Sequence, residues 1–162
     1  LSIFLLIIYI YIYILFLILN ISFIKVIMSY SKIIENLYLG NQYSTTIIKR
    51  IDTIVSIGCN SKANKITNYK ISVRDKKSTD LTPHLDNVTD YINEELNKKH
   101  KVLVHCKAGI NRSTAFVLAY LCKYEKMSIE DAKKILSIKR PIVKFQEHYM
   151  KQIEMWLNNL TN

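Results

Sequence analysis

Val102-Leu-Val-His-Cys-Lys-Ala-Gly-Ile-Asn-Arg-Ser113 is the stretch that decides the reading of this chain. It opens on a nearly continuous apolar run, Val102–His105, as expected of a strand covered on both faces. Gly109 then lets the chain turn inward without a Cβ clash and can take φ > 0. Beyond Arg112 come Ala115, Phe116, Val117, Leu118, Ala119 and Leu121, apolar almost all round, which suits a buried central helix from Ser113 to Tyr124. The expectation is a strand, a tight loop and a helix N-terminus.

Each part of that loop has a use in breaking a phosphate ester. Cys106 sits where strand passes into loop, and an unperturbed thiol there would have a pKa of about 8.5. A loop that curls toward a helix N-terminus points its backbone N–H groups inward, with the positive end of the helix dipole behind them. That setting depresses the thiol pKa and makes a thiolate nucleophile. The inward amides of Lys107, Ala108, Gly109, Ile110 and Asn111 would then hold phosphoryl oxygens. Arg112, six positions after the cysteine, can return across the loop and grip two oxygens in a planar fork. Ser113 can donate to the cysteine sulfur and help it leave, and His105 would orient the loop. A bare C-x5-R arises often by chance. Here it stands as H-C-x-x-G-x-x-R-S between an apolar strand and an apolar helix, the context that the chemistry requires.

Working outward, β-rich runs fall at Asn36–Leu39, Thr53–Ile57, Ile66–Val73 and Val102–His105. Thr82–Pro83 reads as an N-cap with proline at the first helical position, and Leu85, Val88, Tyr91, Ile92 and Leu96 follow on one face. Ser128 with Asp131 reads as a capping box for a helix bearing Ala132, Ile135, Leu136 and Ile138. A last helix carries Met150, Ile153, Trp156, Leu157 and Leu160. Strands alternating with helices indicate an α/β domain.

H-C-K-A-G-I-N-R-S resembles the signature of cysteine-dependent protein tyrosine phosphatases, specifically the small, atypical dual-specificity branch. The likeness extends over most of residues 33–160. Ile33-Ile-Glu-Asn-Leu-Tyr-Leu-Gly40 resembles the family's opening strand, Val117-Leu-Ala-Tyr-Leu121 the helix after the phosphate loop, and Lys139-Arg-Pro141 the motif before the last helix. Asn111 before the arginine resembles poxvirus enzymes. The resemblance implies a mixed central sheet of about five strands flanked by helices. It also implies a shallow pocket for phosphotyrosine, phosphoserine and phosphothreonine in a protein substrate, and hydrolysis through a cysteinyl-phosphate with no metal or other cofactor.

The family's general acid is an Asp on an upstream loop, and Asp75, at the end of Ile71-Ser-Val-Arg-Asp75, matches it. Asp80 belongs to the lead-in to the next helix. Cys122 reads as a core residue. Cys59 reads as a structural thiol, with a protective disulfide to Cys106 as the alternative. His84, His100 and His148 read as surface residues, Trp156 and the tyrosines as packing groups. The same loop chemistry serves other substrates in related enzymes, RNA 5′-phosphates or phosphoinositides, and Lys107 suits extra phosphates. Otherwise a nucleic-acid partner is not expected. The other alternative is a pseudophosphatase that binds phosphoproteins without turnover; that usually requires loss of the nucleophile or the arginine, and Cys106 and Arg112 are both here. The helical half after Cys106 and the upstream Asp75 argue against a rhodanese-like or arsenate-reductase fold.

The chain's 162 residues suffice for one domain with a sizeable core. Its formal charge of +10 suits an anionic partner, although Lys, like Ile, Asn and Tyr, has AT-rich codons, so an AT-rich genome would raise the Lys content with no partner selected. The cysteine count is odd and shows no metal-ligand spacing, which points to a reducing compartment, cytoplasmic or nuclear, and to no structural zinc site. Residues 3 to 19 are all apolar or aromatic and long enough to span a bilayer. Two origins fit that run. One is a membrane anchor with the remainder in the cytoplasm, since Lys25 and Lys32 follow it. The other, favoured by the Tyr-Ile alternation of residues 9–14 and by Met28, is translation of AT-rich DNA upstream of the gene. Residues 1–27 are accordingly set apart from a catalytic domain of residues 28–162.

Overall fold

Two of the strands, β3 (Thr53–Ile57) and β5 (Val102–His105), are buried along their whole length, and the sheet is built around them. Side chains alternate across a strand. Val55, Ile57, Val102 and Val104 face a large helix-covered core, while Ile54 and Leu103 face a smaller cluster on the opposite side. The same alternation puts His105 on the Leu103 face, beside Ser56, and brings Cys106 out on the helical side. The computed structural model describes residues 10–15, 17, 29–61, 63 and 66–160.

β1 (Tyr30–Ile34), β2 (Leu37–Gly40) and β4 (Thr67–Ile71) complete a five-stranded sheet of order β1-β2-β5-β3-β4. Only β1–β2 is antiparallel, so the sheet is mixed, as the resemblance implied. Between β2 and β3 lies a one-turn helix, α1 (Ser44–Ile47). The other helices are α2 (Thr82–Asn97), α3 (Arg112–Lys123), α4 (Ile129–Lys139) and α5 (Glu147–Leu160). α3 is the hub: it touches α2, α4, α5, β2 and β5, and every residue from Arg112 to Cys122 is buried. An all-round apolar helix can be stable only in such a position.

Several expectations change. The opening segment 33–40 is not one strand but a hairpin, turning at Asn36, which takes φ 60, a conformation asparagine tolerates. β1 escaped notice because its exposed Lys32 and half-buried Ser31 blur the alternation. β4 is shorter than residues 66–73 and lies at the sheet edge with Ile71 as its one buried residue. Thr82 is the first residue of α2 rather than its cap; Asp80 Oδ1 accepts from Thr82 N–H at 2.9 Å instead. At α4, Ser128 Oγ accepts from Asp131 N–H at 3.1 Å, whereas Ile138 and Leu160 are 67% and 46% exposed. His100 is no bare surface group, since its Nδ1 meets Glu95 at 2.8 Å.

The anchor-or-upstream-DNA question falls mainly outside the described residues. Residues 10–15 are helical and exposed, and join neither core cluster. Among the described residues no helix is long and apolar enough to cross a membrane.

Candidate active site

The loop between β5 and α3 is inverted by contacts from outside. Lys107 O accepts from Gln42 N–H (3.3 Å), Gly109 O from Arg140 Nε (2.9 Å) and Ile110 O from Lys144 N–H (3.0 Å). With those carbonyls drawn outward, the intervening N–H groups are left to point in. Gly109, at φ +68, makes the inversion possible: a Cβ there would lie 2.4 Å from Gly40 O. No side chain caps α3, so the amides of its first turn also face the bowl.

Cys106 lies at the bottom, 1% exposed. Its sulfur accepts from Gly109 N–H and from Ser113 Oγ, both at 3.2 Å. Burial alone would push the thiol up. The Ser113 hydroxyl and the N–H groups of Ser113, Gly109 and Ile110 outweigh burial and hold it below its ordinary value. Arg112 crosses the bowl with Nη1 donating to Gly58 O (3.2 Å) and Val73 O (3.0 Å). A Cβ on Gly58 would come within 2.2 Å of that nitrogen. Asp75 stands at the rim, 41% exposed, with Oδ2 3.5 Å from Arg112 Nε and 3.5 Å from Asn111 Nδ2. Lys107 and Ala108 are exposed at the rim, and Ile110 and Asn111 are half-buried.

Behind the loop, His105 is fully buried; Nε2 meets Ser56 Oγ at 2.8 Å and Nδ1 meets Cys59 Sγ at 3.5 Å. Burial lowers its pKa to about 4, so the ring is neutral at physiological pH. Cys59 is a free thiol pushed up to about 11, by burial first and then by the Cys106 charge. Cys122 is free too, and burial raises it to about 11, in keeping with a core residue.

A nucleophile-competent sulfur, a ring of inward amides and a guanidinium fork suit a tetrahedral oxyanion. The family profile described as dual specificity phosphatase, catalytic domain, matches residues 37–159. The chain belongs to the dual specificity phosphatase family. It is 36% identical over 137 residues to 123R of Invertebrate iridescent virus 6, a protein named as a tyrosine phosphatase, covering 82% of this chain and 96% of that one. It is 30% identical to the mouse protein phosphatase Slingshot homolog 3 over 139 residues, 81% of this chain but 21% of that much longer protein. The human tyrosine phosphatase-like serine/threonine/tyrosine-interacting protein superposes with a TM-score of 0.78 at 20% identity, over 83% of this chain and 99% of that chain; at that identity the likeness is one of fold. This is a protein phosphatase domain acting on phosphoproteins, and cysteine-dependent hydrolysis is the family's general chemistry.

The phosphatase loop thus gathers Cys106, Ser113, Arg112 and Asp75 around one bowl, with His105 beneath it. Sequence reasoning passed over three contributors. Arg140, 2% exposed, was noticed only as part of a motif, yet its guanidinium holds the loop from behind. Gln152 takes the Leu81 N–H on Oε1 (2.8 Å) and donates Nε2–H to Thr79 O (3.0 Å), fastening the segment after Asp75 to α5. Tyr149, read as a packing group, carries a buried hydroxyl with no hydrogen-bond partner. In sequence it stood only among the packing tyrosines, outside the repeat given for the last helix, and the hydroxyl's surroundings were not legible there.

Proposed function

We propose that Cys106 attacks, as a thiolate, the phosphorus of a phosphotyrosyl, phosphoseryl or phosphothreonyl side chain. The S–P bond forms as the P–O bond to the leaving group breaks, and protonated Asp75 gives that oxygen its proton. The inward amides and the Arg112 fork hold the three equatorial oxygens through the transfer. Water then attacks the cysteinyl-phosphate, Asp75 takes the water's proton, and the sulfur departs as a thiolate steadied by Ser113. Inorganic phosphate is released and the site is restored. His105 stays neutral and braces the loop.

One observation carries this reading: a buried sulfur accepting from Gly109 N–H and Ser113 Oγ inside a loop whose carbonyls are drawn outward. The nucleophile must stay reduced and Cys59 and Cys122 are free thiols as well, so the reading includes a reducing, cytoplasmic compartment. Cys106→Ser is expected to abolish hydrolysis of a phosphopeptide while keeping the fold and phosphopeptide binding, because oxygen cannot form the low-pKa nucleophile. Orthovanadate is expected to inhibit and EDTA to leave the rate unchanged. Turnover by Cys106→Ser, or loss of activity with EDTA, would sink the mechanism.

A further inference from the structure

Among the described residues, four buried side-chain polar atoms have no hydrogen-bond partner: Asn111 Oδ1, Arg112 Nε, His148 Nε2 and Tyr149 Oη. All four lie in the phosphate loop, at the start of α3 or in the first turn of α5. Arg112 Nε has a use in the reading above; Tyr149 Oη has none. The side chain is wholly buried at 0% exposure. An unpaired hydroxyl there carries a desolvation cost that phenylalanine would avoid, and such a group calls for a reason.

The surroundings supply one. Tyr149 shares its core cluster with Cys106 and Val73. Gln152, three positions on and so on the same helix face, binds the segment that follows Asp75 through Leu81 and Thr79. Just before α5, Lys144 N–H donates to Ile110 O of the phosphate loop at 3.0 Å. Tyr149 is near enough to Asp75, Arg112 and Cys106 to feel the charge of each, which puts it beside the loops that carry Asp75 and Cys106. Burial, then the Asp75 charge and a side-chain interaction of the hydroxyl with the Asp75 carboxyl, raise its pKa, while the Arg112 charge opposes them. The phenol is a protonated donor at neutral pH that already reaches toward Asp75, but not at the geometry of an ordinary hydrogen bond.

We propose that Tyr149 is a positioning residue for the general acid, its hydroxyl donating to the Asp75 carboxyl while substrate is bound. This rests on the reading of Asp75 as proton donor. In the structure Asp75 is held by two long contacts, both 3.5 Å, to Arg112 Nε and Asn111 Nδ2. A phosphate dianion seated in the bowl takes the Arg112 fork for itself and removes the ion pair. Tyr149, a neutral donor beside the carboxyl, remains to hold one oxygen. The other oxygen, with its proton, is then presented to the leaving group.

Tyr149→Phe removes the hydroxyl alone, and its test is a comparison of leaving groups in the full chain. For a phosphoserine peptide, whose alkoxide needs protonation, kcat/KM, which reports only the steps through S–P bond formation, is expected to fall about tenfold with KM unchanged. For nitrophenyl phosphate, whose leaving group needs little help, kcat/KM is expected to stay within about twofold. The melting temperature is expected not to fall. In an Asp75→Asn background the substitution should add nothing, because the group it positions is gone. Equal slowing of both substrates, a raised KM, an unchanged phosphoserine rate or a further loss in the Asp75→Asn background overturns the assignment. If Asp75→Asn alone leaves the phosphoserine rate intact, the proton-donor reading fails first and takes the Tyr149 assignment with it.

Discussion

His105 shows at the residue scale how a buried group near the nucleophile sets acid stability. Its pKa falls from 6.5 to about 4 on folding. Above pH 6.5 both states are neutral and the group contributes nothing to pH dependence. As pH drops through that value the unfolded chain binds a proton that the folded chain refuses, so stability is lost down to about pH 4. The full loss is roughly 3 kcal/mol at 1.36 kcal/mol per unit. A neutral replacement, His105→Gln, is expected to flatten that limb in urea titrations run across the window. An unchanged difference between neutral and acid pH would mean the ring is solvated or charged in the fold. Kinetics should behave oppositely: the depressed Cys106 thiol keeps the nucleophile ionised below the pH at which a free cysteine would be.

At the scale of elements, the phosphate loop is an inversion held by neighbours rather than by itself. The chain has only three glycines, and all border this loop. Gly40 and Gly58 end or follow the strands flanking β5, and Gly109 is the inversion point. At Gly109 a methyl group meets two fixed atoms, Gly40 O at 2.4 Å and Gly40 C at 2.6 Å, at a φ of +68. Gly109→Ala is therefore expected to cost about 2 to 4 kcal/mol of stability and at least about a hundredfold in kcat/KM. Chemical denaturation and steady-state kinetics measure both. A folded variant with wild-type kinetics would show that the loop carbonyls do not need this backbone turn.

For the whole molecule, every catalytic assignment lies on a sheet-and-helix body that begins at Ser29–Tyr30 and closes on α5. The described residues of the apolar run, 10–15 and 17, contribute to neither core cluster and expose 41–69% of their large side chains. A protein begun at Met28 is expected to be folded and as active as the full chain, with the same melting temperature and kcat/KM. Insoluble or inactive protein would make the segment part of the fold. Peptides from upstream of Met28 in the native protein would argue for a real segment, to be tested by membrane fractionation.

The nucleophile, its serine, the arginine and the glycine were legible in sequence because they lie within eight consecutive residues, 106–113. A strand, a tight loop and a helix fix their relation locally, and β5 and α3 announced themselves by being apolar on all sides. The β1–β2 hairpin was not legible, since Asn36 makes its turn without glycine and the half-buried β1 shows little apolar alternation. Tertiary structure alone decided what inverts the loop, for the donors to its carbonyls come from Gln42, Arg140 and Lys144, each more than thirty positions from the residue it holds. It alone decided, too, that the Tyr149 hydroxyl is buried without an ordinary hydrogen-bond partner. A buried phenol and an orphaned one have the same sequence periodicity, and only the partners that packing withholds from its hydroxyl tell them apart.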